Sequence, residues 1–342
     1  MHKEFLSKLF DEGIIHSLLV PLKKPGTPFY FPALIKSKEF LSDASISPMV
    51  MPVSAATEVS KITRVSSPSK TIGVVLRPCE IRALVELVKL KQINLDNILI
   101  IGTDCEGTYT PEDYEELKPE KIDKEKIREV CKICEYPEPP LADIILGFYG
   151  GEGIEARSPK GEEILKKLGI EKGFDREKRR EEIERVKKER QEKAKQILEA
   201  TREKVSGIEN LTKFFGSCIN CHNCMKECPI CYCNECFFES EVFRFEGERY
   251  LSWVERRGTL QLPRDELLFH LGRMNHMGLS CIGCGMCEQS CPRDIEVAHL
   301  FILIGREGQR EFGYTPGTSL EEPLPLATFK EDEFVKLGEE KA

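Results

Sequence analysis

The sequence predicts an α/β or α+β domain in its first half and a small cysteine-framed domain in its last third. Three observations predict it. Residues 70–105 read as strand, helix and strand within some 35 residues, the pattern of a right-handed βαβ unit. The run C-x-x-C-x-x-C-x-x-x-C-P occurs twice, from Cys218 to Pro229 and from Cys281 to Pro292. Between these regions, residues 171–204 are almost wholly charged. The corresponding division is 1–170, a charged helical linker at 171–207, a cysteine-rich domain at 208–312, and an acidic, Pro-rich tail at 313–342.

Residues 3–12 form an amphipathic helix, followed by β-like runs at 14–22 and 27–35 with prolines enforcing turns between them. Around 47–64 a short strand leads into a helix starting near Ser54. KTIGVVL (70–76) is a buried-strand run, and residues 77–91 carry Ile81, Leu84, Val85 and Val88 at helical spacing. NILIIGTDC (97–105) is a second buried strand. Cys79 and Cys105 therefore each lie just past a strand's carboxyl end, where α/β folds build their sites, and adjacent strands would bring the two thiols together.

A polar stretch follows, then Cys131 and Cys134 in a single C-x-x-C. ADIILGFYGGEG reads as a strand entering a Gly-rich turn, and GIEARSPKGEEIL as a hairpin leading to a helix. The charged run beyond it is a solvated helix linking two domains, with favourable i,i+4 pairs Glu184/Lys188 and Glu189/Lys193 and only a thin apolar stripe. Aromatic residues between the two cysteine runs (Phe237, Phe238, Phe243, Phe245, Tyr250 and Trp253) would cover the site and exclude water. The tail from Gly313 wraps over a neighbouring element or is partly disordered.

Three thiolates at intervals of three wrap one corner of a cubane, and a fourth, followed by proline, points to a second cluster, as in bacterial-type ferredoxins. Two copies read as a ferredoxin-like dicluster module with crossed ligands. Cys218, Cys221, Cys224 and Cys291 would hold one [4Fe–4S] centre, and Cys228, Cys281, Cys284 and Cys287 the other. Zinc is the competing reading, because paired C-x-x-C motifs also make four-thiolate sites. A zinc knuckle needs no third cysteine three residues on and no proline after a fourth. Cys79, Cys105, Cys131 and Cys134 supply a possible third set of four, with buried or redox-active thiols as the alternative. Cys231, Cys233 and Cys236 are surplus to three cubanes; polarizable packing, replacement of Cys228 as a ligand by one of them, and an added metal or redox site with His222 all stay open.

Composition sets the outer bounds. The chain has 342 residues, 15 cysteines and net charge −8. Nucleic acid is disfavoured as a partner. Cysteines clustered at metal spacing, with no secretory signal and no apolar run of membrane-spanning length, point to a cytoplasmic, reducing setting.

RPCEIRALVEL, IGTDCEGTY and CKICEYPEPPLADIILGFYG, in that order, resemble the β subunits of coenzyme F420-reducing hydrogenase and F420-dependent formate dehydrogenase over about residues 1–170. The resemblance implies that Cys79, Cys105, Cys131 and Cys134 hold a [4Fe–4S] cluster beside FAD, and that the N-terminal region is a flavoprotein domain. This chain has Arg77-Pro78-Cys79 where the family commonly has T-P-C. The implied activity moves a hydride from or to F420, with FAD converting between two-electron and one-electron carriers. The clusters would then serve a larger redox complex whose catalytic subunit is a formate dehydrogenase, a hydrogenase or a heterodisulfide-reductase-like protein. The alternative is a relay subunit without a hydride substrate of its own. No G-x-G-x-x-G opens a βα turn, and the flavin contacts suggested are Ser54, Thr57, Arg77 and Gly151.

Overall fold

The computed structural model describes residues 1–171, 173–243, 247–258 and 265–327. Phe245 and the tail beyond residue 327 lie outside the described residues. A six-stranded sheet has the order β2-β1-β3-β4-β5-β6. Its strands are β1 (Ser17–Lys23), β2 (Tyr30–Ile35), β3 (Ile72–Leu76), β4 (Ile98–Thr103), β5 (Ile144–Gly147) and β6 (Gly153–Ala156). The central strands β1, β3, β4 and β5 are parallel, and β2 and β6 add antiparallel edges. Every residue of β3, β4 and β5 is buried, which is why these strands read as continuous apolar runs rather than alternating ones.

The helix Pro78–Lys89 crosses from β3 to β4 and packs on one face of the sheet. On the opposite face, Phe5, Leu6 and Leu9 of the first helix join Val75, Leu99, Ile101 and Leu146. The first face carries the second half of the chain. Leu19, Val74, Leu76 and Ile100 share one apolar cluster with Phe215, Met274, Ile282, Leu300 and Phe301. The cysteine-rich region is thus bound to the sheet through the helix Pro78–Lys89, with continuous burial between them. Arg82, on that helix, donates to the Ile282 carbonyl at 2.7 Å and to the Pro316 carbonyl at 2.8 Å. Glu86 on the same helix accepts from Tyr314 Oη at 2.6 Å and Gly317 N at 2.8 Å, tying down the start of the tail.

Two local expectations are corrected. No strand forms in residues 47–53; Pro48 and Pro52 lack the N–H a ladder needs, and the carbonyls there serve other partners. Met49 O accepts from Tyr109 N at 2.8 Å, and Pro48 O from Arg77 Nη2 at 3.1 Å. The charged segment is a helix, Arg176–Val205, but it is docked and not a solvated linker. Its inner stripe consists of Arg179, Ile183, Val186, Arg190, Ala194 and Thr201, all buried. Glu189 and Lys193 turn from each other to Lys124 (3.8 Å) and Glu125 (3.0 Å) on the neighbouring loop. The polar stretch also contains a helix, Pro111–Leu117, which the sequence reading left unassigned; Thr110 caps it by accepting from Asp113 N at 3.1 Å. No helix among the described residues is long and apolar enough to cross a membrane.

Docking of the long helix depends on Asp104 and Arg179, which are 0% and 3% exposed. Arg179 Nη1 and Nη2 donate to Asp104 Oδ2 and Oδ1, each at 2.7 Å. Asp104 also accepts from Phe148 N and Tyr149 N, past the end of β5. A Cβ at Gly147 would stand 2.4 Å from Asp104 Oδ2, so glycine makes room for the pair. Removing one partner of such a pair leaves a buried charge uncompensated. Arg179→Met is expected to lower stability by about 3–5 kcal/mol in urea unfolding, with partial recovery in the Asp104→Asn/Arg179→Met double variant. A loss near zero for Arg179→Met would contradict a structural role for the pair.

Candidate thiol-lined redox site

Cys79 enters the first turn of the helix after β3, and Cys105 follows β4 by two residues. Because β3 and β4 are paired in parallel, the two thiols become electrostatic neighbours. Burial pushes the Cys79 thiol well above its ordinary pKa, with Glu80 and Cys105 adding to the effect. Cys131 joins them from the short helix Glu129–Lys132. Burial opposes ionisation of Cys131, but Arg128 and Thr108 outweigh it and hold its pKa below the usual thiol value. Arg128 Nη2 lies 3.5 Å from Cys131 Sγ, and Thr108 Oγ1 3.6 Å. Cys134 lines a cavity of about 280 Å³ that also reaches Cys281.

The two cysteine runs fold alike. Asn220 and His222 in the first copy, and Gly283 and Gly285 in the second, occupy matching positions and all have positive φ, between 55° and 74°. This left-handed turning wraps each loop around its thiols; Asn and His are among the non-glycine residues that tolerate it. Cys224 is buried beside Cys218, Cys221 and Cys291, and burial chiefly raises its pKa to about 11. Cys281, Cys284 and Cys287 neighbour Cys228, and burial pushes Cys281 to about 11 and Cys284 to about 12. Cys224 and Cys287 are thus each within electrostatic reach of the three other thiols of the foursome the spacing suggests for them. Assembly of a thiolate-bound cluster on these thiols must displace protons.

The groups are contiguous. Cys284 acts electrostatically on both Cys79 and Arg128, so the group at the sheet meets the second cysteine run. Gly285 makes this approach possible: a Cβ there would stand 2.3 Å from Val130 Cγ2, and its φ is 74°. Three cationic side chains address the thiol groups and were not signalled by spacing. Arg273 Nη1 donates to Cys224 Sγ at 3.2 Å. Arg190 donates to the carbonyls of Cys134 (3.1 Å) and Glu106 (2.8 Å), and Arg128 contacts Cys131 as above. His270 Nε2 stands 3.5 Å from Cys218 Sγ, with its ring stacked on Phe215, and burial lowers its pKa to about 3. Phe238 and Phe269 pack with Cys224 and Met225, whereas Tyr250 and Trp253 pack on each other.

The surplus thiols lie together at one surface. Cys231, Cys233 and Cys236 line a cavity of about 370 Å³ with Tyr232 and Phe238, and Cys236 Sγ is 3.5 Å from Met225 Sδ. The Cys231 thiol hydrogen-bonds Cys228, which favours the thiolate on Cys228 and the protonated form of Cys231. Among the described residues, no set of three or more His, Cys, Asp or Glu is arranged to hold one metal ion.

Of the suggested flavin contacts, Ser54, Thr57 and Arg77 belong to two neighbouring helix starts. Ser54 precedes the helix Ala55–Thr63 and Arg77 precedes Pro78–Lys89. Glu80 bridges these two helix starts, accepting from Ala55 N at 2.8 Å and Arg77 N at 3.0 Å. Its carboxylate thus occupies the position an anionic group would take there. Thr57 lies in the first turn of the first of these helices, and Gly151 is exposed in the β5–β6 turn.

No protein-family profile matches the chain. It is 30% identical over 312 residues to the F420-dependent formate dehydrogenase subunit beta of Methanocaldococcus jannaschii, spanning 77% of this chain and 78% of that protein. It is also 30% identical over 374 residues to the F420-dependent formate dehydrogenase 1 subunit beta of Methanococcus maripaludis, spanning 93% and 90%. A chain of the F420-reducing [NiFe] hydrogenase complex from Methanosarcina barkeri aligns with TM-score 0.45 and 17% identity, covering 61% of this chain and 87% of that one.

Glycine at 285 is testable by comparison with its neighbour. Gly283→Ala meets a similar φ of 70° but finds Ile302 only at 3.3 Å. Gly285→Ala is expected to cost about 1–3 kcal/mol through overpacking against Val130, and more than Gly283→Ala, in thermal unfolding of the metal-free chain. Equal costs would show that the approach to Val130 is not what selects glycine.

Proposed function

Because the chain belongs to the family of F420-dependent formate dehydrogenase beta subunits and is an oxidoreductase subunit, we propose that it passes electrons between F420 and a catalytic partner subunit through three [4Fe–4S] clusters. The observation that carries this reading is the contiguity of the thiol groups. Cys79, Cys105, Cys131 and Cys134 would hold the cluster nearest the sheet. Cys228, Cys281, Cys284 and Cys287 would hold the next, and Cys218, Cys221, Cys224 and Cys291 the outermost. The donor sets fit: all are sulfur, and buried arginines supply compensating positive charge.

Reduced F420 surrenders two electrons as a hydride, whereas a cluster accepts them one at a time. A bound flavin supplies the conversion between the two. The chain's own contribution is to hold the thiols in succession, donate hydrogen bonds to Cys131 and Cys224, and exclude water with Phe215, Phe269 and Phe301. The expected partner is the formate-oxidising or hydrogenase subunit of a larger complex.

A second reading is favoured by one observation: Glu80 already accepts from the backbone N–H groups of Ala55 and Arg77 at the two helix starts beside the suggested contacts Ser54 and Arg77. In that reading the chain is a relay without a hydride substrate. Anaerobically reconstituted protein is expected to carry about 12 iron atoms and matching sulfide. After incubation with FAD it is expected to oxidise reduced F420 with a viologen acceptor. Full iron and retained FAD without F420 oxidation would select the relay; bound zinc without sulfide would overturn both readings.

A further inference from the structure

Arg273 lies on the helix Glu266–Met277 and is only 2% exposed. Its guanidinium donates Nη1 to Cys224 Sγ at 3.2 Å and Nη2 to the Cys224 carbonyl at 2.9 Å. The rings of Phe269 and Phe301 lie 5.6 and 4.9 Å from its Cζ. Its other close electrostatic neighbours are the thiols of Cys228, Cys231 and Cys287. Among the described residues it forms no ion pair with a carboxylate.

A buried guanidinium without an anion is costly, so natural proteins pair such charges. Among the described residues the candidates are sulfurs, and they come from two groups. Cys224 belongs to the outermost foursome, Cys228 and Cys287 to the middle one. Four thiolates around an iron–sulfur core carry net negative charge, which would supply the missing counter-ion from both sides. Hydrogen bonds to ligand sulfurs are among the features that set cluster potentials.

We propose that Arg273 is a positioning residue shared by these two sites, the common counter-charge that holds them together and raises the reduction potential of the Cys224 site. The inference rests on the cluster reading above. Reduction adds one electron to a site, and no bond forms or breaks. A fixed cation 3.2 Å from a ligand sulfur stabilises the added charge. Replacing it with a neutral side chain must therefore lower the potential, most at the site whose sulfur it touches. Lysine keeps the charge but not the planar fork that reaches sulfur and carbonyl together.

The test is an anaerobic redox titration, followed by electron paramagnetic resonance, of the reconstituted full chain as wild type, R273K and R273Q. The signal altered by Cys224→Ser identifies the site. In R273Q that site's midpoint is expected to fall by about 59 mV, a tenfold change in a one-electron equilibrium, with a smaller fall in R273K. Loss of iron from R273Q but not from R273K supports the same claim, since R273K keeps the charge that R273Q removes. Unchanged potentials in R273Q at full iron loading would overturn the proposal alone. Equal loss of iron from both variants, with helical content intact by circular dichroism, would overturn it as well. Wild-type protein that binds no iron would instead overturn the cluster reading, and this inference with it.

Discussion

The bidentate pair between Asp104 and Arg179 is the interaction on which the arrangement depends. Asp104 directly follows β4 and immediately precedes Cys105, so the carboxylate that anchors the long helix sits next to a thiol in the chain. Through its two further bonds to Phe148 N and Tyr149 N it sets the exit of β5. From that anchor the helix Arg176–Val205 runs past the cysteine groups. Arg190, three turns on, grips the backbone carbonyls at Cys105, Glu106 and Cys134. Ala194 then packs with Val130, Ile133, Ala298 and Ile302, and Lys204 reaches Glu296 at 2.6 Å. One helix thereby fixes the thiols at the sheet relative to the second cysteine run.

Charge is distributed to match. The surface is acidic overall, yet the interior around the sulfurs is cationic: Arg128, Arg190 and Arg273 each approach a different part of the thiol succession. Such buried cations are expensive in a metal-free protein, because desolvation is not repaid by carboxylates. Anionic clusters would repay it. Under the proposed cluster assignment, cofactor loading and folding stability would be coupled in this chain.

Much of the framework was legible in the sequence because it rests on strict local rules. Consecutive β-branched residues gave β3 and β4, helical spacing gave the crossover, and the position of Cys79 and Cys105 after those strands followed from topology alone. The crossed foursomes are proposed from spacing alone, because the spacing of a cluster loop is fixed by the size of what it wraps. The long helix was misread for a specific reason. Its buried stripe at 179, 183, 186, 190, 194 and 201 has regular helical spacing, but arginine fills two of the positions, so an apolar count finds it thin. Arg273 and His270 were missed because a solitary charged residue on a helix gives no sign of burial until its partners from distant segments are known. The absent strand at 47–53 could have been anticipated from Pro48 and Pro52.

The central claim is that the thiols at the ends of β3 and β4 form an obligatory step between F420 and the dicluster module. Rapid mixing of reduced F420 with anaerobic, flavin-loaded wild type and Cys105→Ser, while following bleaching of the iron–sulfur absorbance, tests it most directly. The account predicts complete bleaching in wild type. In Cys105→Ser, the two ferredoxin-like clusters should remain bound but oxidised. Bleaching of those clusters at the wild-type rate in Cys105→Ser would contradict it.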